Sequence, residues 1–227
     1  MDQLLTANVA TNLYWLGRYL ERIELTLSEI NKAYDQIIDV NNEAGLELYQ
    51  KFNLQLEYTG VRDFLNKAIR GKHASNIADL MIQARENAII ARPNIDASTF
   101  GEIIELHLFC QEMSTSTVQI DYNDIDKILS LINEIWGVHA KKGKRQCSDY
   151  FLKLGKLIEE VDFRLRFNKE KEMTDIMIKE IHTIIDILEF DSDGKMHQSQ
   201  TQSQSNKDNQ TDIIADIYKR VDALIID

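Results

Sequence analysis

Residues 11–37 read TNLYWLGRYLERIELTLSEINKAYDQI, and this stretch decides the fold. Its apolar residues follow one another at alternating spacings of three and four, the period of one face of an α-helix. The apolar positions are Leu13, Leu16, Leu20, Ile23, Leu27, Ile30, Tyr34 and Ile37. A seam sustained over about four heptads is typical of a long helix that packs lengthwise in a bundle. The stretch therefore predicts a long α-helix with helical neighbours.

Gly17, Glu21 and Glu24 form a second stripe beside the apolar seam, because they are separated by four and then three residues. A glycine in the middle of a helix costs about 1 kcal/mol relative to alanine, so its presence indicates a close approach to the backbone. The stripe fits a close helix crossing with buried ion pairs, and it fits equally the floor of a binding site. This helix alone leaves both interpretations open.

The composition is that of a globular protein, since 44% of the 227 residues are hydrophobic and 28% are charged. The formal net charge of −11 argues against nucleic acid and membrane surfaces as partners. A basic run at residues 141–145, KKGKR, lacks interleaved aromatic residues and is interpreted as a solvated loop. The two cysteines form no CxxC motif, the N-terminal residues have no signal-peptide pattern, and no apolar run is long enough to span a bilayer. We expect a cytoplasmic protein.

Helical periodicity continues along almost the whole chain, which contains one proline and nine glycines. The first helix is expected to begin near Thr6 or Asn8 and to end near Val40. Further helices are predicted over residues 43–58, 61–70, 76–91, 97–113, 121–139, 149–167 and 173–190. Gln, Ser and Asn dominate residues 191–210, which are interpreted as a flexible linker. The predicted organisation is a helical bundle over 1–190, this linker, and an amphipathic C-terminal helix over 211–227.

The helix at residues 151–165 repeats residues 13–27 at a constant offset of 138 residues. The matched pairs are Leu16 and Leu154, Gly17 and Gly155, Arg18 and Lys156, Leu20 and Ile158, Glu21 and Glu159, Ile23 and Val161, Glu24 and Asp162, and Leu27 and Leu165. Chance would produce shared leucines in two amphipathic helices, but rarely a shared glycine and acid pair at the same phase. The predicted fold is all-α, an antiparallel helical bundle with an internal repeat of two long helices.

Three motifs resemble the bacterial alpha-E domain family, which is named for a Glu-Arg pair on a helix. The run ANVATNLYWLGRYLERIE at residues 7–24 is similar to the family's opening signature. QARENA at residues 83–88 resembles its second motif, and FLKLGKLIEEVD at residues 151–162 resembles its repeated Glu-Arg helix. Two positions depart from the family pattern: the second pair is Glu159-Glu160, and Ile89 stands where an arginine is expected.

The resemblance implies a partner more clearly than a reaction, because the family has long been one of unknown function. Its genes are typically found beside circularly permuted ATP-grasp ligases and transglutaminase-like proteins, which implies a role in peptide synthesis or modification. The leading hypothesis is a helical partner of an ATP-grasp peptide ligase, without a catalytic set of its own. The alternative is an enzyme or enzyme subunit that acts on a peptide through Glu21, Glu24, Arg22 and Arg85. No cofactor is implied, and self-association into a homo-oligomer is left open.

Charged residues of the repeat helices and of the second motif form the candidate polar cluster. Its members are Arg18, Glu21, Arg22, Glu24, Arg85, Glu86, Asn87, Glu159 and Asp162. If the acids of the two repeat helices converged, their oxygens could hold a divalent metal. However, the sequence has no Glu-x-x-His motif of the kind that di-iron bundles require. We favour an ion-pair network in which the three arginines neutralise these acids and fix the packing register.

Arg85 and Asn87 also suit a substrate carboxylate, because arginine binds carboxylates through two parallel N–H groups and asparagine adds a donor and an acceptor. A peptide C-terminus could then bind between Arg85 and Arg22. An internal ion pair between Arg85 and Glu21 explains the same residues more simply, and we favour it. Close packing is the role expected of Gly17 and Gly155, the paired glycines of the repeat.

Overall fold

The structure, a computed structural model, describes residues 5–193 and 210–226. Its helices are α1 (Ala7–Asp39), α2 (Ala44–Lys51), α3 (Val61–Arg70), α4 (Ile77–Ile90), α5 (Ala97–Thr115), α6 (Tyr122–Ala140), α7 (Cys147–Arg166), α8 (Lys171–Asp193) and α9 (Gln210–Ile226), with a 3₁₀ turn at Arg92–Asn94. Within these ranges there is no β-strand. The prediction of an all-α bundle is confirmed.

Helix α1 lies at the centre of the bundle and contacts α2, α3, α4, α6, α7 and α9. It begins where predicted, because the Thr6 hydroxyl accepts a hydrogen bond from the backbone N–H of Val9 and caps the first turn. Every residue of the apolar seam is buried except Tyr34, which is partly exposed. Burial of this seam against several neighbours explains why one helix can organise the whole bundle.

The two repeat helices, α1 and α7, pack side by side and run in the same direction. Gly17 lies against the backbone of Leu152, and farther along both helices Glu29 pairs with Lys169 at 3.0 Å. Contact positions therefore advance together on α1 and α7. The consecutive pairs α4–α5, α5–α6 and α7–α8 are in contact through short connections, which makes the members of each pair antiparallel neighbours.

The helix predicted over residues 43–58 is wrong in its second half. Helix α2 ends at Lys51, and Asn53 adopts a left-handed φ of 57°, a conformation that ends a helix. The chain then folds back, so that the Tyr58 hydroxyl donates a hydrogen bond to the Asn42 carbonyl at 2.5 Å. The apolar pattern over these residues indicates which side chains are buried. It does not indicate the turn at Asn53, which follows the end of the helix.

Helix α9 packs against α1 and α8, where Ile217 and Val221 are buried. Arg220 ties it to α8 through ion pairs with Asp186 and Glu189 at 2.7 and 2.8 Å. Helix α8 extends to Asp193, into the predicted linker, and most of that linker lies outside the described residues. In the described ranges, no helix combines the length and the apolar character that crossing a bilayer requires.

Candidate functional site

Helices α1 and α7 approach each other closely at the two repeat glycines. A methyl group on Gly17 would lie 2.2 Å from the carbonyl oxygen of Leu152, and one on Gly155 would lie 1.9 Å from the carbonyl oxygen of Tyr14. Backbone atoms in a packed interface cannot move aside as the end of a flexible side chain can. The absent side chains therefore permit a contact that brings the neighbouring charged residues within reach of the opposite helix.

Arg18 and Arg22 of α1 both bind the Glu159 carboxylate of α7. Arg18 Nε donates to Glu159 Oε2 at 2.8 Å, and Arg22 Nε donates to Oε1 at 2.5 Å. Arg18 also donates from Nη2 to Asp162 Oδ2 at 2.7 Å. Burial alone would raise the pKa of Glu159, but the hydrogen bonds and charges of the two arginines outweigh it and hold that pKa below its ordinary value. Glu159 is thus a buried, ionised and fully neutralised acid.

Lys156 of α7 makes the reciprocal contacts with the acids of α1. Its Nζ lies 2.8 Å from Glu21 Oε2 and 3.8 Å from Glu24 Oε2. The same ammonium group lies 4.2 Å from the ring centre of Trp136 on α6, whose indole N–H donates to Glu24 Oε2 at 3.0 Å. Lys156 therefore supplies the positive charge that faces the buried Glu21 side chain.

The two sets of contacts are related by the repeat offset of 138 residues. Each contact has a counterpart in which the two helices exchange roles. The α1 residue number plus 138 gives the α7 residue of the counterpart, and the α7 residue number minus 138 gives its α1 residue. The counterparts are Arg18–Glu159 and Lys156–Glu21, Arg18–Asp162 and Lys156–Glu24, and the contacts of Gly17 with Leu152 and of Gly155 with Tyr14. The sequence repeat is therefore a local pseudo-two-fold relation between α1 and α7.

This pseudo-two-fold relation breaks at one position, where Arg22 of α1 corresponds to Glu160 of α7. Arg22 brings a second positive charge to Glu159, whereas Glu160 brings a further negative charge near Glu21. Arg22, the arginine of the Glu-Arg pair on α1, consequently joins Arg18 in neutralising the acid on α7. The acid on α1 faces one ammonium group, that of Lys156, and the carboxyl groups of Glu24 and Glu160.

The Glu21 side chain is 3% exposed, and its burial is the main influence on its pKa. Burial, together with the negative charges of Glu24 and Glu160, outweighs the attraction of Lys156 and raises the pKa of Glu21 to about 8. The pKa of Glu21 is therefore shifted upward, whereas that of its counterpart Glu159 is shifted downward. Two acids at equivalent positions of the repeat have pKa values shifted in opposite directions.

Helix α9 completes the Arg18 side of the cluster through Tyr218. The Tyr218 hydroxyl is hydrogen-bonded to Asp162, and Arg18 Nη2 donates to the same hydroxyl oxygen at 3.3 Å. Neither Tyr218 nor Lys156 was among the predicted site residues. Lys156 could have been found, because the repeat aligns it with Arg18, whereas no sequence pattern links Tyr218 to an acid on a distant helix.

The predicted residues Arg85, Glu86 and Asn87 lie apart from the charged residues of α1 and α7, on the surface of α4. Arg85 pairs with Glu86, and the Asn87 side chain donates to the carbonyl of Gln83 at 2.8 Å within the same helix. The predicted ion pair between Arg85 and Glu21 is wrong. The buried face of α4 includes Leu80, Met81, Ala84 and Ala88, and the helix packs against α1 and α5. Arg85 is partly exposed beside that face, and its ion pair is with Glu86.

The charged groups of the cluster contact each other across the α1–α7 interface. Within the described residues, no group of three or more His, Cys, Asp or Glu side chains could hold a metal ion. Two pockets contain none of the cluster residues: an open one lies between Thr59 and Asn66, and a small, mostly enclosed one lies beside His139 and Asp149. The arrangement is suited to holding two helices in one register, because a buried ion pair is satisfied only in one alignment.

A family model described as a predicted alpha-helical domain with a conserved ER motif matches residues 5–214. The chain belongs to the Alpha-E family. In this Alpha-E protein, the Glu-Arg pair that α1 carries at Glu21 and Arg22 binds across the interface with α7. Comparisons with curated proteins and with solved structures gave no significant match.

Proposed function

We propose that this Alpha-E protein is a non-catalytic helical partner of an ATP-grasp peptide ligase, or of a related system for peptide synthesis or modification. The resemblance to the Alpha-E family, whose genes typically stand beside such ligases, supports the choice of partner. Membership of the family is established by the match over residues 5–214. In this role the bundle provides a rigid surface, and the chemistry belongs to the ligase.

The placement of the Glu-Arg pair is the observation that carries the non-catalytic part of the proposal. Glu21 pairs with Lys156 and Arg22 pairs with Glu159, so both side chains are bound across the α1–α7 interface. A general acid or base must reach a substrate atom directly or through one water molecule. The Glu159 side chain is only 7% exposed and already accepts hydrogen bonds from two arginines. These contacts support a role in holding the two halves of the bundle together.

The test is to co-express this chain with an ATP-grasp peptide ligase of the kind that the family resemblance implies and to ask whether the two co-purify. ATP-dependent amide formation by the ligase is then measured with and without this chain. We expect a complex that survives size-exclusion chromatography and a ligase activity that depends on it. Lys32→Glu is a control for a change of surface charge, because the Lys32 side chain is 61% exposed and its ion pair is with Glu29, outside the candidate polar cluster. Absence of a complex together with unchanged ligase activity would overturn the proposal.

An enzyme that acts on a peptide is the second candidate, and the pKa of Glu21 favours it. A carboxyl group that keeps its proton up to a pKa of about 8 can act as a general acid at neutral pH. Under this hypothesis, Glu21→Gln abolishes peptide turnover by the complex while the melting temperature is unchanged or raised. Under the partner hypothesis, the same variant keeps the activity of the complex. The assay therefore separates the two functions with one substitution.

A further inference from the structure

Helix α4 carries on its exposed side a stripe that the packing of the described residues does not use. Ile82, Arg85, Glu86 and Ile89 are spaced at i, i+3, i+4 and i+7, so they share one face of the helix. Ile82 and Ile89 are 43% and 40% exposed, and the side chains of Arg85 and Glu86 are 35% and 55% exposed. Single exposed isoleucines are ordinary in proteins. Here two of them flank an ion pair on the same face.

Read from either end, the α4 stripe has an isoleucine, two charged residues and an isoleucine. Reversing the direction only exchanges the positions of Arg85 and Glu86. The centre of the stripe lies between Arg85 and Glu86, with one isoleucine three residues outside each. A two-fold axis through that centre places Ile82 opposite Ile89 of a second copy. It also places Arg85 opposite Glu86 of the second copy, and the same contact occurs again on the other side of the axis. Such self-complementarity is what a symmetric contact between identical chains requires.

We propose that a second copy of this chain binds to the α4 stripe, with the two α4 helices antiparallel about a two-fold axis. Two exposed isoleucine pairs become buried, and two ion pairs form between the chains. Each chain carries a net charge of −11, so two copies repel each other over most orientations. The stripe itself is neutral, since it holds one arginine and one glutamate. It is therefore a place where two acidic chains can meet without adding a like-charge contact.

Helix α5 packs against α4 and has an exposed apolar residue of its own. Leu108 of α5 is 57% exposed. Leu108 adds apolar surface to the helix beside the stripe. The dimer contact is independent of the proposed function, because it uses no residue of the α1–α7 interface.

Charge exchange provides the experiment, with the mass of the full chain in solution measured by sedimentation velocity over a concentration series. We expect the unsubstituted chain to form a dimer. Arg85→Glu places two acids opposite two acids, and Glu86→Arg places two bases opposite two bases, so each variant alone should raise the dimer dissociation constant by about a hundredfold. The double variant Arg85→Glu/Glu86→Arg restores the opposite charges and should return the dissociation constant to near its original value. An equimolar mixture of the two single variants should form a mixed dimer.

Lys32→Glu is the matched control, because it changes the net charge by the same amount as Arg85→Glu at an exposed position on α1. It should leave the dimer intact. The orientation is tested by disulfide formation, with the unsubstituted chain as background: Ile82→Cys mixed with Ile89→Cys should crosslink, and Ile82→Cys alone should not. A monomer at all concentrations, a dimer indifferent to Arg85 and Glu86, or a double variant that stays monomeric would each overturn the proposal.

Discussion

Replacing Gly155 by alanine should destabilise the protein by forcing α1 and α7 apart. The added methyl group would lie 1.9 Å from the Tyr14 carbonyl oxygen, 2.9 Å from the Tyr14 carbonyl carbon and 3.1 Å from the Arg18 backbone nitrogen. All three are backbone atoms of α1, so the helices must separate by about 1 Å to restore an ordinary contact. Overpacking of this kind costs about 1–3 kcal/mol, and a displaced helix pair belongs at the upper end of that range.

Alanine is also the better helix former, and this gain of about 1 kcal/mol opposes the steric loss. The net expectation is a loss of about 2 kcal/mol in the free energy of unfolding. For a chain of this size, such a loss lowers the melting temperature by about 4–8 °C. Urea denaturation gives the free energy, and a thermal melt followed by circular dichroism gives the temperature.

Gly101 offers the matched control, because it lies within α5 and a methyl group there meets no atom within 4 Å. The same substitution at Gly101 should therefore stabilise the protein by about 1 kcal/mol, through helix propensity alone. Equal changes in stability for the two alanine variants would refute the steric reasoning. A Gly155→Ala protein as stable as the unsubstituted chain would refute it as well.

Three further predictions concern the charged cluster. The pKa of Glu21 is raised from 4.5 to about 8 in the folded protein, so the folded state binds this proton more tightly than the unfolded state does. The unsubstituted chain should therefore lose stability relative to Glu21→Gln as the pH rises between these values, by at most about 1.4 kcal/mol per pH unit; a pH-independent difference in urea denaturation contradicts this. Glu159→Gln should cost about 3 kcal/mol at neutral pH in the same assay, because it leaves guanidinium groups without their carboxylate, and an unchanged midpoint would count against it. Tyr218→Phe removes a hydroxyl from Asp162 and should cost about 1 kcal/mol, with faster amide hydrogen exchange in α9; unaltered exchange there would show that the hydroxyl does not hold the helix.

Much of the fold could be predicted from the sequence, because helical periodicity reports which face of each element is buried. The seam of residues 11–37 gave the central helix, and the repeat at an offset of 138 residues identified its closest companion. Periodicity does not report a turn that depends on one residue. For that reason the helix expected over 43–58 extends past Asn53, whose left-handed backbone ends it in the structure.

The cluster on α1 and α7 was predictable as a set of residues but less so as a set of contacts. The repeat aligned Arg18 with Lys156, yet the exchange of partners between the two helices appears only when both are placed side by side. The prediction for Arg85 names the wrong partner for a related reason. The sequence shows on which side of α4 Arg85 lies. Which residues lie on that side depends on how α4 packs on α1.

The break in the pseudo-two-fold relation has a consequence for how this protein can evolve. Between two identical chains, one mutation appears on both sides of the contact, so a glutamate in place of Arg22 would change both equivalent acids at once. When both halves are encoded in one gene, each position is inherited separately. Here one half has Arg22 and the other has Glu160, and the pKa values of the two equivalent acids are shifted in opposite directions, upward for Glu21 chiefly by burial and downward for Glu159 by its two arginines. Two repeats within a single gene can therefore give equivalent residues different properties, which an assembly of identical subunits cannot do.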